Sequence, residues 1–404
     1  MVQKQDSPIC NIKDTVKTLG NIEQPPDYVY KTLKYGPRNP NLRQFDEKET
    51  LCQMDLFLEF CEPNNVDAEI INDLNAHCRN YIKKAKKQKI PRATKMTYDY
   101  LKAHNIKAVP YDKGQGFMLM SNEDYQNRIY KIIKASQFSE VKKTRKNERD
   151  PLLKEQDRIV GKLKDMEKKG QITERLYKDL KPIGSKSAKI YGLAKVHKPE
   201  VPLRPVVAIP GTAYDKIGKF VSHWLDKVEE SKIRTSTSEV NNSIKDVVLT
   251  EEEMIVSYDV SSLYTNVPLS ECIEMAAKKL FQITNECPVD MNTFIELTRL
   301  TYSNILIQTE NGYIRQQDGL AMGISCAPQL ANIWMASMDK KIENNSRIYH
   351  RYMDDIIMVI KKIEIESDLE RINKIHENLT FTHETEDEKG EILFLDLTLT
   401  QRKW

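Results

Sequence analysis

The sequence predicts an α+β fold, and three observations carry that prediction. Segments whose apolar residues recur at helical spacing are interleaved with short runs of β-branched and aromatic residues. Two such runs, 305–309 and 313–316, meet at Asn311-Gly312, the strongest short-range signal for an antiparallel hairpin. A third, Met254-Ile255-Val256-Ser257-Tyr258-Asp259, is a compact apolar run ending in an acid and reads as a buried strand. Hairpins alternating with helices indicate an antiparallel sheet covered by helices.

Residues 1–40 carry Pro25-Pro26, Gly36-Pro37 and Asn39-Pro40 and read as irregular or extended. Helical periodicity follows over 47–61 and 66–89. Strands are predicted at 106–110 and 117–120, joined through Asp112-Lys113-Gly114-Gln115-Gly116. Ser121, with Asp124 three residues on, starts a helix running to about 134. A charged amphipathic helix spans 152–169 and stops at Gly170. Segments 189–192 and 205–209 form a hairpin with basic residues between them, and 212–228 is helical in pattern. After the strand at 254–259 come helices at 271–281 and 291–302 and then the Asn-Gly hairpin. A glycine-bearing turn at Gly319 and Gly323 leads into a helix from about 328 to 342. A hairpin around Tyr352-Met353-Asp354-Asp355, a helix near 369–377 and strands at 379–383 and 392–399 complete the pattern.

At 404 residues and 40% hydrophobic, the chain can build two or three cores. No apolar run approaches the length needed to cross a bilayer, so no membrane partner is expected. The first residues lack the apolar stretch of a signal peptide, and an intracellular protein is the default. Seven cysteines (Cys10, Cys52, Cys61, Cys78, Cys272, Cys287, Cys326) contain no CxxC pair and read as reduced thiols rather than a disulfide framework. The seven histidines are equally scattered, and neither zinc nor haem is indicated.

The net charge of +3 conceals an uneven distribution. Between Arg79 and Lys95 stand eight basic residues and no acid, among them Lys83, Lys84, Lys86 and Lys87. Residues 142–149 and 178–204 are two further basic stretches. One such run reads as a solvated helix face; three of them, upstream of an acidic site, suit a polyanion that presents a reactive end.

Tyr352-Met353-Asp354-Asp355 lies between the apolar runs Ile348-Tyr349-His350 and Ile356-Ile357-Met358-Val359. That order reads as strand, tight turn, strand, with two carboxylates at the tip. Their repulsion is tolerable when a cation or solvent sits between them, and paired divalent ions are the catalytic use of such a site. Two neighbouring acids on one turn cannot encircle two ions. Asp259, at the end of its own apolar strand, is the natural candidate for the third carboxylate, although taken alone it reads as a strand-terminal turn aspartate.

Here the sequence resembles a known family. Tyr258-Asp259-Val260-Ser261-Ser262-Leu263-Tyr264-Thr265-Asn266-Val267-Pro268 is similar to the first catalytic motif of the reverse transcriptases of Penelope-like elements. Gln316-Gln317-Asp318-Gly319-Leu320-Ala321-Met322-Gly323 resembles the next motif, and Tyr352-Met353-Asp354-Asp355 the third. Lys189-Ile190-Tyr191-Gly192-Leu193-Ala194-Lys195-Val196-His197-Lys198-Pro199 and Pro202-Leu203-Arg204-Pro205-Val206-Val207 look like the two fingers motifs. The Asp112-Lys113-Gly114 turn and Leu393-Phe394-Leu395-Asp396-Leu397 also look familial, so the likeness covers roughly residues 100–400 in order. It departs at Ile324-Ser325-Cys326-Ala327-Pro328, where the family usually shows a Ser-Pro segment, and at Ala194, where proline is common.

The resemblance implies a right-hand polymerase core related to telomerase. A mainly helical basic region would occupy 1–100, fingers 101–235 and palm 236–404, with the thumb largely absent and no GIY-YIG endonuclease before Trp404. It implies an RNA-directed DNA polymerase that joins dNTPs to a DNA primer on an RNA template, in the nucleus. Two Mg²⁺ ions, replaceable by Mn²⁺, would sit on Asp259, Asp354 and Asp355, with Asp355 in a supporting position. Tyr264 would lie under the incoming sugar and exclude a 2′-hydroxyl; on residue type alone it reads equally as a core tyrosine. Arg204, Lys195 and Lys198 would hold the triphosphate, although a generic basic hairpin explains them too. Gln316, Gly319 and Gly323 would let backbone approach the template and nascent pair, or form an ordinary helix-entry turn. Lys83, Lys84, Lys86 and Lys87 would contact nucleic acid. The alternative from a different class is a catalytically silent, truncated nucleic-acid-binding remnant of such an element, and an RNA-dependent RNA polymerase shares the same chemistry.

Overall fold

The computed structural model describes residues 15–37, 50–51, 54, 67–87, 91–135, 138–141, 149–231, 236–302, 305–310, 312–316, 319–344, 346–395 and 397–400. Most of the helix predicted at 47–61 and most of the basic run 142–149 lie outside them. The described residues divide into two compact units, one within 7–132 with 192–205 and the other within 133–191 with 206–404.

The smaller unit is built around the run Phe117-Met118-Leu119-Met120, buried at every position because its strand is the centre of a three-stranded sheet. Its elements in chain order are β1 (Val16–Thr18), α1 (Asp27–Leu33), α2 (Ala68–Lys87), α3 (Arg92–Ala103), β2 (Ile106–Pro110), β3 (Phe117–Ser121) and most of α4 (Asn122–Ala135). β3 runs parallel to β1 and antiparallel to β2. Ser121 ends the strand and starts the helix, its Oγ accepting the Asp124 N–H at 3.0 Å. α1 falls inside the region read as irregular; it forms because Val29 and Leu33, four residues apart, bury against Leu101, Ile106, Phe117 and Leu119.

The larger unit opens with β4 (Phe138–Glu140), α5 (Pro151–Lys168), α6 (Glu174–Leu180), β5 (Ala188–Ala194) and β6 (Leu203–Ala208). β5 and β6 contribute residues to both units. There follow α7 (Asp215–Leu225), α8 (Thr237–Ile244), β7 (Glu253–Val260), α9 (Leu263–Asn266), α10 (Leu269–Ile283) and α11 (Met291–Tyr302). The chain continues through β8 (Ile305–Thr309), β9 (Gly312–Gln316), α12 (Ala327–Ala336), α13 (Asp339–Glu343), β10 (Tyr349–Tyr352) and β11 (Asp355–Lys361). α14 (Ile365–Asn373), β12 (Phe381–Thr385), β13 (Glu391–Phe394) and β14 (Leu397–Thr400) close it. One sheet is mixed, in the order β4-β9-β8-β5-β6; a second is antiparallel throughout, β10-β11-β7-β12.

That antiparallel sheet carries the functional argument. On one face Val256, Tyr258, Val260, Ile356, Met358 and Phe381 join the large core shared with Leu280, Phe294 and Trp334 of the covering helices. On the other, Ile255, Ile357 and Val359 pack with Val240, Ile392, Phe394 and Leu399. Alternation along the strands sends successive residues to opposite faces, which is why β7 reads as an apolar run. The observed fold is therefore α+β, with an antiparallel sheet packed by helices.

Three predicted elements differ. The single helix expected at 328–342 is two, α12 and α13, broken where the Ser337 hydroxyl donates back to the Trp334 carbonyl at 2.6 Å. The strand expected at 392–399 is a hairpin, β13 and β14, turned at Leu395 with φ 55°. α14 begins four residues earlier than its apolar spacing indicates, with Glu366 and Asp368 in the first turn where the helix dipole favours acids. Among the described residues no helix is long and apolar enough to cross a membrane.

Candidate active site

β7 delivers Asp259 to the end of the antiparallel sheet, and its neighbours deliver the other two acids. In the β11–β7 register Asp355 stands opposite Asp259. The Val260 N–H donates to the Asp354 carbonyl at 3.1 Å. A bond from the residue after Asp259 to the residue before Asp355 brackets the two aspartates as a non-hydrogen-bonded pair. In such pairs the Cα atoms lie about 4.5 Å apart and the side chains share one face at their closest approach. Asp259 is exposed, Asp354 and Asp355 half-buried.

The hairpin that carries Asp354 and Asp355 closes on the pair Tyr352–Asp355, leaving only Met353 and Asp354 in the turn. Met353 has φ 58° whereas Asp354 is not left-handed, the II′ pattern of a two-residue connection. That conformation costs a non-glycine residue of order 1–3 kcal/mol unless its surroundings hold it. They do. The Arg351 guanidinium donates from Nη1 to the Met353 carbonyl at 3.1 Å. The same guanidinium forks onto Asp339, with Nε to Oδ1 at 2.6 Å and Nη2 to Oδ2 at 3.0 Å. Its Nη1 also reaches Asn332 Oδ1 at 3.3 Å, and the Tyr349 hydroxyl donates to Asp339 Oδ1 at 2.8 Å. The Arg351 side chain is 8% exposed. Burial pushes the Tyr349 phenol up, and the Asp339 charge adds to the shift.

After Asp259 the chain turns through Ser262, left-handed at φ 53°, into the single helical turn α9 that carries Tyr264. Tyr264 is half-buried and packs against the large core. Its carbonyl accepts the Leu320 N–H at 2.7 Å. This draws the loop after β9 against α9. Gly319 has φ 79°, and a Cβ there would meet the Thr265 carbonyl oxygen at 2.7 Å. Gln316, buried, donates from Nε2 to the Gly319 carbonyl at 3.3 Å. Gly323 is placed as tightly: at φ 113° its Cβ would stand 2.1 Å from the Val207 carbonyl oxygen. Asp259 and Asp355 thus stand in register with Asp354 in the adjoining turn, and Tyr264, Gln316 and Gly319 form a second group at and after the ends of β7 and β9. Gln317 and Asp318 lie outside the described residues.

Behind the sheet, the Tyr258 hydroxyl donates to Asp368 Oδ2 at 3.0 Å, and Arg371 holds Oδ1 from Nε at 2.9 Å and Nη2 at 2.6 Å. This ties α14 to the strand that ends in Asp259.

The basic candidates belong to the smaller unit. The segment 192–205 is held to the Asp112-Lys113-Gly114 turn by the Asp112 N–H, which donates to the Ala194 carbonyl at 2.9 Å. Arg204 pairs with Asp112 at 3.3 Å; the Asp112 side chain is 2% exposed, that of Arg204 36%. The guanidinium therefore has an internal counter-ion on one side and solvent on the other. Lys198 is exposed and Lys195 half-buried. Desolvation, then the nearby charges of Lys113 and Lys198, hold the His197 imidazole below its usual range. Lys83 and Lys84 are exposed on α2; Lys86 and Lys87 belong to the same helix, with side chains outside the described residues. Sequence reading missed Asp112 as the partner of Arg204, and it missed Arg351, Asp339 and Asn332. An arginine and a tyrosine two positions apart in an apolar strand were the available signal for the second group.

The donor chemistry of the three aspartates fits a hard divalent cation: carboxylate oxygens only, two of them directly opposed, a placement that destabilises a sheet when nothing compensates the charge. Among the described residues no three His, Cys, Asp or Glu side chains gather into a ready metal-holding group. What is preformed is the backbone that presents them.

The site is thus an antiparallel sheet with two acids in register at one end and one face covered by helices. Residues 196–386 match the family model described as reverse transcriptase (RNA-dependent DNA polymerase). The structure is similar to a telomerase from Candida albicans solved with a TWJ fragment of telomeric RNA, at 11% identity and TM-score 0.48, covering 81% of this chain and 57% of that one. It is similar to apo telomerase from Candida tropicalis, at 11% identity and TM-score 0.49, covering 92% and 64%. A BmCPV RNA-dependent RNA polymerase at elongation state gives 11% identity and TM-score 0.39 over 69% of this chain and 28% of that one. The chain spans less than two thirds of the length of each. No curated protein matches it.

Proposed function

We propose that this chain is the RNA-directed DNA polymerase of a Penelope-like retroelement, adding dNTPs to a DNA primer 3′-hydroxyl on an RNA template. The observation that carries the reading is the non-hydrogen-bonded Asp259–Asp355 pair beside a two-residue turn bearing Asp354, within the segment that matches the reverse transcriptase model. Asp259, Asp354 and Asp355 would hold two Mg²⁺ ions, or Mn²⁺ in their place. When bound, such ions lower the pKa of the attacking hydroxyl and neutralise the phosphates of the leaving group.

The chain's own residues do the rest. Tyr264 stands under the sugar and excludes a 2′-hydroxyl by its bulk. Gln316, Gly319 and Gly323 keep the backbone close to the template and the nascent pair. Arg204, Lys195 and Lys198 take the triphosphate through charge-assisted hydrogen bonds, and Lys83, Lys84, Lys86 and Lys87 the nucleic-acid backbone. Action on nuclear nucleic acid follows from the element class.

Primer extension on an RNA template with dNTPs tests the reading. Incorporation that disappears in Asp354→Ala supports it; equal extension by that variant sinks it. Incorporation of NTPs in preference to dNTPs would make the enzyme an RNA polymerase instead. Salt-sensitive RNA binding with no incorporation of either would leave a silent binding remnant.

A further inference from the structure

The turn between β10 and β11 is held from the face opposite the aspartates. Arg351 pairs with Ile356, whose side chain belongs to the helix-covered core, whereas Asp355 pairs with Asp259 on the other side. From that buried side the Arg351 guanidinium reaches the carbonyl of Met353, the left-handed residue on which the turn depends. The charge of Arg351 is spent on Asp339, so its role toward the turn is orientation. The fork on Asp339 fixes the plane of the guanidinium, Asn332 takes a second proton acceptor's place at Nη1, and the remaining reach of Nη1 falls on one carbonyl. Lysine, a point donor without a fork, cannot make these contacts together.

We propose that Arg351 is the positioning residue of the acidic hairpin. Braced by Asp339, Tyr349 and Asn332, it holds Met353 left-handed and thereby presents Asp354 and Asp355 to a divalent cation. This rests on the reading of those aspartates as cation ligands. It adds a residue that touches neither cation nor substrate.

The test measures Mn²⁺ binding to the full chain by electron paramagnetic resonance, counting the component lost in Asp354→Ala. Arg351→Lys weakens that component roughly 10- to 100-fold, the size expected when the support of a ligand is removed. Tyr349→Phe, which takes one bond from Asp339 but leaves the fork, changes it less than about twofold. With Met353→Gly, where a left-handed φ costs nothing, the further effect of Arg351→Lys shrinks to about threefold or less. Asn332→Ala gives a milder version of the Arg351→Lys result and replaces it if that variant does not fold. In primer extension, Arg351→Lys lowers kcat with little change in KM for dNTP.

Equal Mn²⁺ affinity in wild type and Arg351→Lys overturns the clamp and leaves the polymerase reading intact. So does an equal loss in Tyr349→Phe, which would mark general destabilisation. Absence of any Asp354-dependent Mn²⁺ site overturns clamp and cation reading together. Extension failing in wild type while Arg351→Lys still weakens Mn²⁺ overturns the polymerase reading alone.

Discussion

Two sets of acids in the larger unit put the same carboxylate to opposite uses. Glu155, Asp339 and Asp368 each receive an arginine and a tyrosine hydroxyl: Glu155 from Arg158, Arg315 and Tyr214, Asp339 from Arg351 and Tyr349, Asp368 from Arg371 and Tyr258. Asp259 and Asp355 instead face each other across a strand pair, with Asp354 in the adjoining turn. In the first set a counter-charge arrives with the fold, and the acid becomes a strut. In the second two carboxylates stand opposite each other, the arrangement on which the proposed cation site rests. Neither residue type nor burial alone separates the two sets. The identity of the facing residue does.

The largest effect expected from breaking this contrast is on chemistry. Asp354→Ala should lower primer extension by about 10³-fold or more, a size typical of losing a group that acts at the reacting centre. Its urea midpoint should stay close to wild type. A loss of folding to match the loss of activity would place Asp354 among the struts.

Next comes a strut. Asp368→Ala leaves the Arg371 fork and the Tyr258 hydroxyl without their acceptor. It should cost about 2–4 kcal/mol in urea unfolding, because a partly buried charge loses its partner. A change under about 0.5 kcal/mol would show that solvent replaces the carboxylate freely.

The pH dependence of the struts is a smaller effect with a definite sign. Burial pushes the Glu155 carboxyl up, but hydrogen bonds from Arg158, Tyr214 and Arg315 outweigh it and hold the group below the usual glutamate range. A depressed folded pKa means the folded state releases its proton more readily than the unfolded chain. The contribution is therefore complete above the ordinary glutamate range and is lost as pH falls through the folded value. Glu155→Gln should be less stable than wild type near neutrality, with the gap closing in acid; a gap constant down to strongly acidic pH would contradict the assignment.

The smallest effect sharpens the contrast most. Asp259→Asn removes one of two opposed like charges and should leave stability unchanged or raise it by about 0.2–1 kcal/mol, while abolishing extension. Destabilisation by more than 1 kcal/mol would mean the pair is compensated inside the fold.

Much of this was legible in the sequence. The Asn-Gly hairpin, the strand at Asp259 and the tip of Asp354 and Asp355 rest on local signals, period-two alternation and turn chemistry, and these appear where expected. The break between α12 and α13 was not legible, because Ser337 and Met338 look helical until the Ser337 hydroxyl turns back on the Trp334 carbonyl. The turn at Leu395 was hidden in an apolar run that alternates on both sides of it. Of the candidate site, the sequence singles out the three aspartates but not their register, since pairing of Asp259 with Asp355 rather than Asp354 depends on strands 96 positions apart in numbering (355 − 259). Asp339 and Arg351 were invisible for the same reason. Their meaning exists only once a helix and a hairpin meet.

The two-residue turn at Met353-Asp354 makes the hairpin a matter of parity. Asp354 and Asp355 are adjacent, and only one of them can stand opposite Asp259; which one is set by the count of residues between Arg351 and Ile356. Adding or deleting one residue there would exchange the faces of everything beyond it, turning Ile356 outward and Asp355 into the core. The length of this loop is therefore as constrained as the identity of Asp354 within it. A frame of two is what the loop must transmit unchanged.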